Sequence, residues 1–250
     1  MNKKFFLFIP LILISFTLFY IFFVNPPTNE FKGIVTLTFD DGYLTQYSLA
    51  YPLMEEYGFD GTLFLLANWS KKFEGRELLT FEQAKEMQDN GWEIGSHTLD
   101  HPSLTKLSEN EIENQLNYSK QILEENWFGV SSVAFPYGDY NEKVLDITKK
   151  YYPSARPMEW GFNDLENLDF YKLKSKWITL VHTPEEVCSW IIYARDRDLW
   201  LILDFHYIGE DNLNEWSFSM ENFKKILSCI DQEGIEVKTI KEVLGNEKTN

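Results

Sequence analysis

Cysteine is almost absent: Cys188 and Cys229 are the only two in 250 residues, too few for a disulfide framework. Both fall in segments that read as helical and are taken as buried apolar side chains, with a single bridge between them left open. Histidine is nearly as scarce, with four copies, so where the histidines fall carries weight. Positive charge is also short, 23 Lys and Arg against 39 Asp and Glu, for a net charge of −16. That excludes nucleic acid, which is gripped through basic patches, and makes anionic polymers poor partners. Neutral or cationic polymers remain. No internal repeat or low-complexity tract occurs, which sets repeat architectures aside. Aromatics, by contrast, are plentiful: 8 Trp, 13 Tyr and 20 Phe. Most belong in a core, and some suit the C–H faces of sugar rings.

Uncharged apolar sequence occurs once at length. Residues 5–24 are long enough to span a bilayer, and Asn2, Lys3 and Lys4 before them place the N-terminus in the cytoplasm. Val24-Asn25-Pro26-Pro27-Thr28 offers no small-residue cleavage site and no cysteine for lipid attachment. Residues 1–4 therefore read as a cytoplasmic stub, 5–24 as a transmembrane signal anchor, and 25–32 as a short stiff linker. Residues 33–250 read as one outward-facing domain, secreted if the segment is instead cleaved. A catalytic domain held near the membrane suits a cell-wall or surface glycan.

Within that domain, strands alternate with helices. Ile34 to Phe39 reads as a strand and Leu44 to Tyr57 as a helix ended by Gly58; Thr62 to Leu66 is the next strand. Thr80 with Gln83, and Ser108 with Glu111, have the capping-box pattern of helix starts. Trp92–Ser96, Ser131–Phe135, Trp177–Leu180 and Leu199–Phe205 supply further strands, with an irregular stretch at 157–170. The alternation implies parallel βαβ units. An open doubly wound sheet also fits, but the polar candidates Asp40, Asp41, His97, Tyr137 and His206 all fall at strand C-terminal ends. In a βα barrel those ends converge on one face, so a distorted (β/α)7 barrel is expected.

The chemistry concentrates in Thr38-Phe39-Asp40-Asp41-Gly42 and Ser96-His97-Thr98-Leu99-Asp100-His101. One carboxylate and two imidazoles can hold a catalytic divalent metal with open positions, and the second carboxylate is a ready general base. Adjacent on a strand end, Asp40 and Asp41 should point roughly opposite ways. Pro102 argues against a long helix after the histidines, yet one tight turn would bring both imidazoles to the same side. His206, ending the strongest strand, is the candidate general acid, and Asp204 two residues earlier is placed to orient it. Each signal alone has a plainer reading: an Asp-Asp-Gly turn, two unrelated polar histidines, a satisfied core histidine.

Taken in order, TFDDG (38–42), SHTLDH (96–101), FPYGDYN (135–141) and the strand ending in His206 resemble the polysaccharide deacetylases, the NodB-homology carbohydrate esterases of family 4. The resemblance runs from about residue 33 to about 244. It implies the distorted (β/α)7 barrel, a divalent metal on Asp41, His97 and His101, Asp40 as base, His206 as acid, and the backbone N–H of Tyr137 on the oxyanion. Zinc is the default for that ligand set; cobalt, nickel and manganese also suit it. The implied partner is an acetylated polysaccharide or oligosaccharide.

Two features depart from the family pattern. Many members carry an arginine where Ala134 stands, and Arg156 can supply the missing charge. The family's fourth motif, an Asp and a Trp, has no clear match, although Trp160, Asp164 and Asp169 lie nearby. The expected function is metal-dependent removal of N-acetyl, or O-acetyl, groups from an extracellular glycan. The rivals are a catalytically impaired glycan-binding protein on the same fold and a phosphoester hydrolase, which the lack of a basic cluster disfavours.

Overall fold

The computed structural model describes residues 33–68, 70–209 and 215–247. The run 5–24 read as a membrane anchor, and the linker after it, lie outside the described residues. Among the described residues no helix is long and apolar enough to cross a membrane.

The alternation expected from the hydrophobic pattern is present. The first part comprises β1 (Ile34–Phe39), α1 (Tyr51–Tyr57), β2 (Thr62–Leu65), a hairpin of β3 (Lys72–Phe73) and β4 (Arg76–Glu77), and α2 (Phe81–Asp89). Then come β5 (Glu93–Ser96), α3 (Glu109–Glu125), β6 (Ser132–Ala134), α4 (Glu142–Thr148) and β7 (Ser154–Arg156). After an irregular stretch follow β8 (Lys176–Trp177), α5 (Pro184–Arg195), β9 (Trp200–Phe205), β10 (Tyr207–Ile208) and β11 (Ser217–Phe218). The last elements are α6 (Met220–Glu233), β12 (Glu236–Val237) and α7 (Ile240–Glu247). Both capping boxes form: Gln83 N–H donates to the Thr80 hydroxyl at 3.2 Å, and Ser108 N–H to the Glu111 carboxylate at 2.8 Å.

The main sheet is parallel, in the order β7-β6-β5-β2-β1-β9-β8, with β12 against the start of β1. It is curled. Five strand steps separate β7 from β9, roughly 24 Å in a flat sheet, yet the guanidinium of Arg156 on β7 reaches Asp204 on β9 at 3.0 Å. Alternation along each strand then sorts the residues. Val35, Leu37 and Phe39 of β1 join the large cluster that includes helix residues, while Ile34 belongs with Phe64, Ala134, Trp200 and Ile202 in a second cluster. That second cluster lies within the curl, beneath the site. Gly95 is needed there, because a Cβ would meet the Phe64 ring at 2.6 Å.

The interior also holds a charge. The buried Glu93 carboxylate accepts from Thr62 Oγ1 (3.1 Å), Ser131 Oγ (3.1 Å), Ser132 Oγ (2.7 Å) and the Lys241 N–H of α7 (2.8 Å). It thereby pins the last helix to the N-terminal ends of the strands. Burial raises its pKa, against the pull of those donors.

The helix expected over 44–57 is present and ends at Gly58, with its first turns widened into a π-type stretch, Gln46–Ala50, that runs into α1. Two expectations need correction. The ring is not closed by a ladder: among the described residues no strand pairs β7 with β8. The irregular stretch bridges the gap instead, through Ala155 N–H to Phe170 O (2.8 Å) and reciprocal bonds of 2.9 Å between Asn163 and Trp200. Nor are the cysteines merely apolar fillers. Cys188 and Cys229 form a disulfide joining α5 to α6, Cα atoms 6.0 Å apart.

That cross-link closes a loop spanning 41 residues, so Cys188→Ser should lower the unfolding free energy by about 2–4 kcal/mol. Denaturant melts check this. Reductant should bring the wild-type midpoint down to that of the variant and leave the variant unmoved.

Candidate active site

Strand ends of the curled sheet deliver the site. Asp40 follows β1, His97 follows β5, Tyr137 follows β6, Arg156 ends β7, and Asp204 and His206 come from the end of β9. All of these, with Asp41 and His101, line one cleft, along with Phe73, Glu74, Met158 and Trp216.

Asp40 and Asp41 do not diverge as a regular strand end would require. Asp41 has φ +73, a left-handed backbone that turns its side chain into the same cleft. His97 Nε2 consequently lies 3.7 Å from Asp40 Oδ2 and 3.6 Å from Asp41 Oδ1. His101, at φ +61, completes the turn after His97 and puts its Nε2 3.6 Å from the same Asp41 oxygen. The expected tight turn therefore does bring both imidazoles to one side, their ring centres 4.8 Å apart. Phe73 and Tyr137 pack edge-on against His101 at 5.0 and 4.7 Å.

These three residues fit a divalent cation. Asp41 Oδ1 is buried with no hydrogen-bond partner, although two ring nitrogens face it. A buried, unpaired carboxylate oxygen is costly unless something positive meets it. His97 Nδ1 lies 3.0 Å from the Ala134 carbonyl. Donation there fixes the proton on Nδ1 and leaves Nε2 as a lone-pair ligand. Burial lowers both imidazoles, His101 to about 3, so both are neutral and ready to ligate. Burial, Asp40 and Glu74 push Asp41 well above the usual carboxylate range; a bound cation reverses that logic.

Asp40 has a different fate. Arg156 Nη2 donates to both of its oxygens at 2.5 Å, and Nη1 donates to Asp204 Oδ2 at 3.0 Å. Burial acts to raise Asp40, but the Arg156 guanidinium, its largest opposing influence, helps hold the carboxyl down at about 2. It is thus ionised and already committed to arginine. Arg156 itself lies over the Phe64 ring at 5.2 Å and pairs in register with Ala134. The guanidinium missing from position 134 is supplied from the neighbouring strand at the same level.

Asp204 was expected to orient His206. Its Oδ2 instead accepts from Arg156, and its Oδ1 accepts from Thr38 Oγ1 at 3.4 Å. Burial outweighs Arg156 and raises its pKa. The His206 ring packs beside Trp216 at 4.7 Å, with Nε2 4.0 Å from Asp40 Oδ2. Burial brings its pKa down to about 4, against the pull of Asp40. Tyr137 adopts φ 59, ψ 5 inside the Pro136–Gly138 turn, with its ring largely exposed. None of the fourth-motif candidates lines the cleft. Trp160 covers the Lys176 ammonium at 4.1 Å, Asp164 caps a short turn, and Asp169 accepts from the Tyr171 N–H. Met158 reaches the cleft from that stretch instead.

Sequence reasoning missed Gln46, Tyr43, Arg76 and Trp216. Arg76 stacks between Tyr43 (5.5 Å) and Tyr207 (4.7 Å). Tyr43, directly after the Asp-Asp-Gly turn, was the one local sign of that packing.

An α/β fold that gathers at its strand ends one group of side chains able to hold a cation, with a carboxylate and an imidazole beside it, is a scaffold suited to hydrolysis. A family model described as polysaccharide deacetylase matches residues 28–152, half of the chain, and the protein belongs to that family. It is 35% identical over 117 residues to Bacillus subtilis YxkH, provisionally named a polysaccharide deacetylase, over 46% of this chain and 41% of that one. It is 31% identical over 131 residues to a poly-β-1,6-N-acetyl-D-glucosamine N-deacetylase of Staphylococcus aureus, over 48% of this chain and 45% of that protein. The chain thus spans less than half the length of either relative. Streptococcus pyogenes deacetylase PplD in complex with acetate aligns with TM-score 0.52 and 25% identity over 62% of this chain and 69% of that one. The fold is also that of the Bacillus anthracis pseudoenzyme BA3943, at TM-score 0.59 and 18% identity, over 85% of this chain and 66% of that one. The side chains therefore have to decide function, since the fold alone does not.

Two predictions follow from this geometry. Asp41→Ala or His101→Ala should leave purified protein without stoichiometric metal, measured by elemental analysis after dialysis, because each removes one of three ligands. Arg156→Met should lower stability by about 3–5 kcal/mol, because it leaves buried carboxylates unpaired; chemical denaturation reads this directly.

Proposed function

We propose that the protein is a metal-dependent deacetylase that hydrolyses N-acetyl groups of an extracellular or cell-wall glycan, with O-acetyl groups as a secondary substrate. One observation carries the reading: a buried carboxylate oxygen of Asp41 without a partner faces two neutral imidazoles, beside an Asp40 that arginine holds ionised. The first group fits a metal, and the second fits a base that stays off it.

Asp41, His97 and His101 would hold the ion, zinc by default. When bound, it supplies Lewis-acid polarisation of the acetyl carbonyl and acidifies the attacking water. The chain's own residues do the rest. Asp40 takes the proton of the attacking water, its carboxylate aimed by Arg156. The backbone N–H of Tyr137 donates to the developing oxyanion. His206 protonates the departing sugar nitrogen. With its pKa near 4, His206 is neutral in the resting cleft, so its proton must arrive during turnover. Asp40 Oδ2, 4.0 Å from Nε2, holds that proton once the water has been deprotonated.

Supporting the glycan as substrate are the family and the acidic net charge of −16, which disfavours anionic polymers. The glycan-binding alternative has less behind it, because every metal ligand, the base and the acid candidate face one cleft. Outward location, with 5–24 as anchor, is part of the proposal. The Cys188–Cys229 disulfide agrees with an oxidising compartment.

The test is acetate release by the zinc-supplemented protein from a panel of acetylated glycans: chitin oligomers, poly-β-1,6-N-acetylglucosamine, peptidoglycan and acetylated xylan. Acetate should come from at least one, and Asp40→Asn should lose at least a hundredfold in rate while keeping one metal per chain. Metal bound at one per chain with no acetate from any glycan would favour the binding-protein reading.

A further inference from the structure

Base and acid come from neighbouring strands, and their relative placement is set where the two strands stop pairing. β1 and β9 stay in register up to Phe39 opposite Phe205. One more ladder bond follows, Asp40 N–H to Phe205 O at 2.9 Å, and then the chains part. Tyr207 N–H turns away to the Trp216 carbonyl at 3.3 Å. Two carbonyls, those of Asp40 and His206, are left at the end of the ladder in a buried setting. Such groups need a donor.

Gln46 supplies both. Its fully buried side chain sends Nε2 to Asp40 O at 2.6 Å and to His206 O at 2.7 Å. A carboxamide nitrogen carries two protons in one plane and no charge, so one atom can bridge two carbonyls without adding charge to a site that already holds Arg156. The wide turn Gln46–Ala50 makes this reach available: it opens at Gln46, whose own N–H bonds to Tyr43 O at 2.9 Å. π-type turns of this kind recur at functional sites.

We infer that Gln46 is a positioning residue for the acid–base pair: it clamps the Asp40 and His206 backbones together and so holds the His206 ring within reach of Asp40 and of the leaving group. The inference rests on the deacetylase reading above. The residue touches no metal ligand through its side chain and does not line the cleft, so its effect passes through His206 and Asp40.

A clamp of this kind has a signature that mere loss of structure lacks. Protonation of the leaving group matters for an amide nitrogen and hardly at all for an aryl oxide, which departs as an anion. Releasing His206 should therefore slow N-acetyl glycan hydrolysis far more than hydrolysis of 4-nitrophenyl acetate. The experiment compares wild type with Gln46→Met, similar in shape but without donors, and Gln46→Glu, which sets a carboxylate against two carbonyls. Rates on both substrates are taken on zinc-loaded protein, and their ratio does not depend on the fraction folded.

The expected result is a loss of at least tenfold in kcat on the glycan, with KM within about twofold and less than threefold loss on the aryl ester. Equal losses on the two substrates would overturn the inference and leave Gln46 a structural residue. Unchanged rates on both would overturn it as well. Wild type inactive on every glycan while metal-loaded would instead remove the deacetylase reading on which it rests.

Discussion

The site depends on one guanidinium. Arg156 is 3% exposed and shared between Asp40 and Asp204. Without it the cleft would hold three neighbouring buried carboxylates, and at least one would take up a proton. With it, Asp40 is ionised and tied down, and Asp41 alone is left to look for a positive partner. The different settings of two carboxylates adjacent in sequence thus come from a side chain more than a hundred positions away.

That arrangement needs the sheet to curl and the backbone to bend against its preference. Curling brings β7 round to β9. The left-handed conformations of Asp41, His101 and Tyr137 then point side chains and peptide groups into the cleft rather than along the strands. Such conformations in residues other than glycine are uncommon and need support. It comes from the hairpin side, where Leu79 N–H bonds to Gly42 O at 3.0 Å and Tyr43 bridges to Leu78, and from Phe73 and Tyr137 packed on His101. Below the cleft, Phe64, Trp200 and Ile202 give a dry floor that keeps the charged network at low dielectric.

Much of this was legible in the sequence because it is local. Strand ends, both capping boxes and the two acid-and-histidine clusters are short-range patterns, and the structure places them together. What could not be read depends on register or on packing. Arg156 was recognisable as a spare charge, but only the pairing of Ala134 with Arg156 shows that it stands one strand over from the absent arginine. The inward turn of Asp41 is set by contacts, not by an Asp-Asp-Gly string that also makes ordinary turns. Gln46 was hidden inside what reads as one continuous helix. The pairing of Cys188 with Cys229 follows from α5 lying beside α6, which helical periodicity does not reveal. Closure of the barrel was over-read, because the stretch 157–175 bonds to the sheet through single bridges and not through a strand.

The account stands or falls on the division of labour between the two adjacent aspartates. The direct measurement is a crystal structure of the zinc-loaded protein with anomalous data at the zinc edge. It should show one peak bounded by Asp41, His97 and His101 at about 2.0–2.2 Å from their ligand atoms, with Asp40 still held by Arg156. A peak ligated by Asp40, or the absence of any peak between those three side chains, would contradict it.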